Sequence, residues 1–294
     1  MTPEEFRRYG HEVVDRVAEY WERVGSYPVR SPVSPGDVRA GLPQEVPERG
    51  EPFDAVLADF DRAVLPGLSH WQHPSFFAYY PGNTTGPAVL GELLSAGLAV
   101  QGMLWVTGPA CTELETLVLD QMAGLLGLPD KFRSDGPGGG VIQDTTSSAV
   151  LVALTTALHR ATGGASDRAG LASLDGPFTV YASEQAHSCL EKAARINGIG
   201  KDNVRLVPVD KRTQAMRTDA LAEMLAADVA AGATPVMVMA TVGTTSTAAV
   251  DPTGQIAELC KQHGAWLHVD AAYAGVAAVC PELRSLNDGI AEAD

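Results

Sequence analysis

Between Phe178 and Asp270 the sequence alternates between two periods, and that alternation restricts the fold more than any other feature. FTVYAS (178–183), VRLVPV (204–209), PVMVMATVG (235–243) and AWLHVD (265–270) are short apolar runs rich in β-branched residues. Between them lie stretches with helical spacing, 188–196, 218–231 and 253–263. Apolar strands that each give way to a helix predict a mostly parallel sheet covered on both faces, an α/β fold. Upstream, GGGVIQ (138–143) reads as a glycine-rich turn and a short strand, feeding a helix from about Ser147 to Thr162. The 294 residues suffice for one large domain with an appendage, and 45% apolar with 19% charged residues is the profile of a globular protein.

The appendage is N-terminal. Residues 3–24 predict a helix: Thr2 and Glu5 form a capping box, Pro3 fits the first turn, and Phe6, Val13, Val17, Tyr20 and Val24 recur at helical spacing. One helix cannot bury that stripe by itself, so it needs a partner surface. Six prolines in residues 28–52 predict an extended connector, followed by a short helix from about Phe53 to Leu65. SHWQHPSFFAYYPGNTT (69–85) is a loop loaded with aromatic rings, which either staple it to a core or line a pocket. Pro109–Leu126 predicts a further helix, closed by Gly127 and Pro129.

A net charge of −15 argues against nucleic acid or an anionic membrane as the main partner. MTPEEF shows no basic-then-apolar leader, and the apolar stretch 88–106 is broken by Glu92 and Gln101, so no membrane span is expected. Cys111, Cys189, Cys260 and Cys280 have no CxxC spacing, which suits reduced thiols in a cytoplasmic protein.

The ends of the predicted strands carry the chemistry, because ligands of open α/β sheets bind outside the strand C-termini. Asp270 ends the last apolar run and is followed by small Ala271 and Ala272. A fixed negative charge with room for a flat ring suits a protonated pyridinium, although a strand-end aspartate also caps turns. Thr145, Thr146, Ser147 and Ser148 open a helix after a glycine-rich turn and form either a phosphate cradle or an N-cap. There is no GK[ST] and no GxGxxG, which excludes the usual nucleotide and dinucleotide loops. His187 and Thr241 stand at two further strand-to-helix junctions. That so many strand ends bear such groups is more than capping requires. His268 with Asp270 supplies only two metal ligands, so a metal site is not expected.

HWQHPSFFAYYPG, GPACTELETLVLD, GGGVIQ, SEQAHSC, AMR (215–217), ATVGTT and WLHVDAAYAG occur in the order and at the spacing of a known family. By these segments the chain closely resembles the group II pyridoxal 5'-phosphate (PLP)-dependent decarboxylases, in their aromatic-L-amino-acid decarboxylase branch. The resemblance runs from about residue 5 to the last residue. It implies the PLP-dependent transferase fold of the aspartate aminotransferase type (fold type I), an α/β large domain that is incomplete here, plus an N-terminal helical arm. Residues 1–84 would be the arm and substrate-loop segment, and residues 85–294 the PLP-binding large domain.

Carried over residue by residue, the resemblance implies that Asp270 pairs with the pyridinium nitrogen, Ala272 lies beneath the ring and His187 stacks above it. Thr146 and Ser147 hold the phosphate, and Thr241 lies near the cofactor. Trp71, Tyr79, Tyr80, Pro81 and Gly82 match the loop lining the side-chain pocket, with Gly82 standing where relatives carry a hydroxyl residue. Met103 falls where many relatives place an aromatic that reaches into the partner subunit's site. Thr145 and Thr146 replace smaller residues. The family's Schiff-base lysine follows the HVDAAYAG segment inside an asparagine-proline-histidine-lysine motif. Lys131, Lys192, Lys201, Lys211 and Lys261 do not sit in that context, so the chain reads as the N-terminal portion of a longer enzyme. The expected parent activity is decarboxylation of an L-amino acid, aromatic by the 71–80 loop, to the amine and CO2, in a homodimer. Aldehyde synthesis and decarboxylation of an acidic amino acid are alternatives on the same fold. A non-catalytic dimerisation fragment is the alternative of a different class.

Overall fold

The computed structural model describes residues 1–80, 82 and 84–294, which form two compact units, Met1–Ser95 and Ala96–Asp294.

In the first unit, helix α1 (Pro3–Arg23) starts as its sequence requires: Glu5 N–H donates to the Thr2 hydroxyl (3.2 Å) and Thr2 N–H to the Glu5 carboxylate (2.7 Å). The residue it buries is Tyr9, which the apolar stripe omitted. Its ring meets Phe53 edge-on at 5.0 Å and its hydroxyl donates to Asp54 at 2.8 Å. Val13, Val17 and Tyr20 line a groove with Leu57, Phe60, Leu65 and Leu68 of the same unit, while Phe6 stays exposed. The proline-rich connector is interrupted by one helical turn, α2 (Asp37–Ala40), entered through Gly36 at φ 101°. Helix α3 (Phe53–Asp59) continues through a π turn to Val64 and a 3-10 turn to Gly67, covering the predicted short helix. Helix α4 (Gly86–Gly97) was not expected; Gly91 within it lowers helix propensity and obscures it in the sequence.

In the second unit, α5 (Pro109–Leu126) begins on proline and stops at Gly127, whose φ of 67° lets its N–H reach the last carbonyls. Then follow α6 (Thr146–Ala161), the short α7 (Ala165–Ala169), β1 (Phe178–Ser183), α8 (Cys189–Ile196), β2 (Val204–Val207), α9 (Thr218–Ala230), β3 (Thr234–Thr241), α10 (Thr253–His263) and β4 (Trp266–Asp270). The four strands form an all-parallel sheet in the order β2-β1-β3-β4. Alternation along the strands sorts the core into two layers. Met237 and Met239 face Val150, Leu154, Leu190 and Ala193 of α6 and α8. Val238, Ala240 and Leu267 face Leu221, Leu225 and Ile256 of α9 and α10. On that second face Tyr181 donates to Asp228 (2.6 Å), whose carboxylate also takes a two-pronged contact from Arg205 (2.9 Å each), tying β1 and β2 to α9.

GGGVIQ departs from expectation. It is not a strand, and Ile142 is 65% exposed. Among the described residues no strand pairs with it; its Ile142 N–H donates instead to the Glu115 carboxylate of α5 at 2.7 Å.

Candidate active site

The register of β3 on β4 places Thr241 opposite Asp270, so the hydroxyl and the carboxylate stand side by side at the C-terminal edge of the sheet. By strand alternation both face the α6/α8 side, as do Met239 and His268. Asp270 is 7% exposed and accepts the Ala272 N–H on Oδ1 (3.1 Å), while its Oδ2 has no hydrogen-bond partner among the described residues. Thr241 is 3% exposed and its hydroxyl is buried without a partner among the described residues. A buried hydroxyl left unsatisfied is costly, and a ligand that accepts from it or donates to it removes that cost. Burial holds the His268 imidazole below the ordinary histidine range, against the opposing pull of Asp270.

His187 is exposed in the turn that leads from β1 into α8. Its Nδ1 accepts the Cys189 N–H at 3.2 Å, so the neutral ring carries its proton on Nε2. The Cys189 thiol is pushed up to about 11, first by burial and then by the charge of Asp270.

At the start of α6, Thr145 is the N-cap. Its hydroxyl accepts the Ser148 N–H (3.3 Å), and the Ser148 hydroxyl turns back to Asp144. Thr145 is thus committed to capping, as one of the two sequence readings had it. Thr146 and Ser147 follow, half-buried, and neither their N–H groups nor their hydroxyls have partners among the described residues. These belong to a helix end and not, as expected, to a strand end, because residues 138–145 before them form no strand.

Ala272 is exposed beside Asp270, and Met103 is 75% exposed in the loop before α5. In the first unit, Trp71 stacks on Phe76 (4.9 Å) and Tyr79 (5.6 Å), and Tyr79 adopts a φ of 56°. Gly82 lies against the Trp71 ring, with room for a Cβ at 3.7 Å; Tyr80 is exposed, and Pro81 lies outside the described residues.

Sequence reasoning missed Asp251, which is 2% exposed. Its carboxylate accepts the N–H groups of Thr241 (2.9 Å) and Met216 (2.7 Å), and its own N–H donates to the Thr241 carbonyl (2.9 Å). It therefore fixes the end of β3. Burial raises its pKa, and the two N–H groups partly offset that. An aspartate before proline reads as a turn, and nothing local distinguishes this one.

A parallel sheet with helices on both faces carries at its C-terminal edge a buried carboxylate and a hydroxyl with no partner among the described residues, and the solved structures it matches are of the α/β fold type I class. Within it the chain belongs to the pyridoxal-dependent decarboxylase family, whose "Pyridoxal-dependent decarboxylase conserved domain" matches residues 35–294. It is 46% identical to the phenylacetaldehyde synthase of Arabidopsis thaliana and 44% to tryptophan decarboxylase 2 of Oryza sativa subsp. japonica, with all of this chain aligned in both cases. The alignments cover 59% and 58% of those relatives, so the chain spans a little over half their length. The crystal structure of Catharanthus roseus tryptophan decarboxylase in complex with L-tryptophan superposes with a TM-score of 0.92 at 40% identity, over 100% of this chain and 62% of that one. By these likenesses the chain is similar to the aromatic-amino-acid branch of the group II enzymes.

Proposed function

We propose that the protein, at the length of its relatives, is a PLP-dependent decarboxylase of an L-amino acid with an aromatic side chain. The observation that carries the reading is the Thr241–Asp270 pairing: a buried carboxylate beside a buried hydroxyl, with one carboxylate oxygen and the hydroxyl lacking partners among the described residues. PLP, when bound, supplies the electron sink that accepts the pair left by departing CO2. Asp270, with one oxygen without a partner among the described residues, would hold the ring nitrogen and supply the negative charge that favours its protonated form. Ala272 and His187 would flank the ring, Ala272 as a small neighbour and His187 with its Nδ1 occupied by the Cys189 N–H. Thr146 and Ser147 offer the N–H groups and hydroxyls of a helix start to the phosphate, where the helix dipole favours negative charge. By the resemblance, Trp71, Tyr79, Tyr80, Pro81 and Gly82 are assigned to recognition of the substrate side chain, and Met103 to the site of a partner in a homodimer. Residues 1–84 serve as arm and substrate loop and residues 85–294 as cofactor domain, in a cytoplasmic enzyme.

The identity to a phenylacetaldehyde synthase favours aldehyde formation as a second reading. One assay separates these. A form extended to the relatives' length is given tyrosine, DOPA, phenylalanine, tryptophan, glutamate and cysteine sulfinate, and kcat/KM is compared while amine and aldehyde are quantified. Preference for the aromatic substrates with amine as product is expected; aldehyde with hydrogen peroxide selects the second reading, and preference for glutamate overturns the substrate class. Asp270→Asn lowers turnover by about 10²-fold or more if its charge acts on the ring; turnover within a few-fold of the parent makes Asp270 structural.

A further inference from the structure

The glutamates of the PACTELE segment have no role in the reading above, yet one of them holds the approach to the phosphate cradle. Glu115 lies on α5 and is half-buried. Its Oε1 accepts the Ile142 N–H at 2.7 Å, three residues before Thr145. The segment leading to Ile142 lies directly on the same helix. A Cβ on Gly140 would meet the Leu119 side chain at 3.0 Å, and Leu119 is one helical turn beyond Glu115. A Cβ on Gly138 would lie 2.1 Å from the Lys131 carbonyl oxygen. Gly140 is therefore seated against α5 and Gly138 against the turn at Lys131 by missing side chains, and Ile142 is pinned to α5 by one carboxylate. No strand among the described residues shares that task. The next residues form the capping box of α6, so the direction in which Thr146 and Ser147 present their N–H groups depends on where this strap ends.

We propose that Glu115 is the positioning residue of the phosphate cradle: by holding Ile142 on α5 it aims the start of α6 at the cofactor's phosphate. Glu115 does not touch the cofactor itself. The inference rests on the PLP reading. It predicts that Glu115 sets affinity for the phosphate while leaving ring recognition, through Asp270 and Thr241, unchanged.

The test compares binding of PLP and of pyridoxal, which lacks the phosphate, by equilibrium dialysis to a parent form extended to the relatives' length. The parent chain binds PLP more tightly than pyridoxal. Glu115→Ala lowers PLP affinity by about tenfold, the size of one charge-assisted hydrogen bond, and leaves pyridoxal affinity within about twofold. Glu115→Gln, whose carbonyl still accepts the Ile142 N–H, restores most of the loss. Gly140→Ala pushes the strap off Leu119 without changing Glu115 and reproduces the selective loss, which keeps the idea testable if Glu115→Ala fails to fold. Parallel losses for PLP and pyridoxal, or an unchanged ratio in Glu115→Ala and Gly140→Ala, overturn the role of Glu115 alone. A parent chain that binds neither compound overturns the cofactor reading and this inference with it.

Discussion

Gly243 illustrates how little freedom single residues have beside the candidate site. It leaves β3 at φ 85°, and a Cβ there would lie 2.6 Å from the Ala274 Cβ and 3.2 Å from the Ala274 nitrogen. The two segments it separates are stitched together, since Val242 N–H donates to the Asp270 carbonyl (2.8 Å) and Ala274 N–H to that of Val242 (3.2 Å). Any side chain at 243 therefore meets both a disfavoured backbone conformation and the turn that begins at Asp270. Gly243→Ala is expected to cost roughly 2–4 kcal/mol, combining left-handed strain with overpacking. Urea unfolding checks the size, and a change below about 0.5 kcal/mol, the range of an ordinary surface substitution, would show that the loop simply moves aside.

At the scale of elements, the sequence is most legible where burial alone decides. FTVYAS and the run ending at Thr241 are apolar on both faces, and both became central strands within a residue or two of expectation. GGGVIQ also carries a β-branched apolar pair but has no neighbouring strand among the described residues, and a short apolar run does not say whether a partner exists. Asp270, Thr241 and His187 were legible because each ends or follows a strand; Asp251 and Glu115 were not, because what they hold lies 10 and 27 residues away. The same non-local logic governs α1. His70, 1% exposed at the start of the aromatic loop, shares a hydrogen bond with the Tyr20 hydroxyl of α1 (Nδ1 to oxygen 2.9 Å) and stacks on Tyr27 at 4.7 Å. Burial, and then His73, hold its pKa below the ordinary histidine value. The unfolded chain thus binds a proton that the folded unit refuses. The contribution is fully present above the ordinary value of about 6.5 and is lost as pH falls below it. Protection factors of the α1 amides, corrected for the intrinsic exchange rate at each pH, are expected to fall from pH 7.5 to 5.5 and to lose most of that dependence in His70→Gln. An unchanged slope in the variant would assign the pH response elsewhere.

For the whole molecule, the open question is what its apolar surface meets. No helix among the described residues is long and apolar enough to cross a membrane. Yet in the second unit Leu98, Met103, Leu104, Trp105, Val106, Leu114 and Leu117 are all exposed, on α5 and the loop before it. The loop has order of its own: Thr107 and Gly108 donate N–H groups to the Leu104 carbonyl, and Trp105 Nε1 donates to Glu113 at 3.0 Å. A stretch held this firmly while presenting apolar side chains is shaped for contact, and a patch of this kind is uncommon on a monomer. Burying five such side chains yields roughly 8–15 kcal/mol by area, comparable with the cost of association, so removing two should tip the balance. We expect Leu104→Asp combined with Val106→Asp to weaken self-association at least tenfold in sedimentation equilibrium, with helix content unchanged. Ile196→Asp, at an exposed position ending α8, should leave it as it was. If the paired substitution leaves association untouched, or if Ile196→Asp disrupts it equally, α5 and its loop do not form the contact and the proposed contribution of Met103 to a partner's site falls with it.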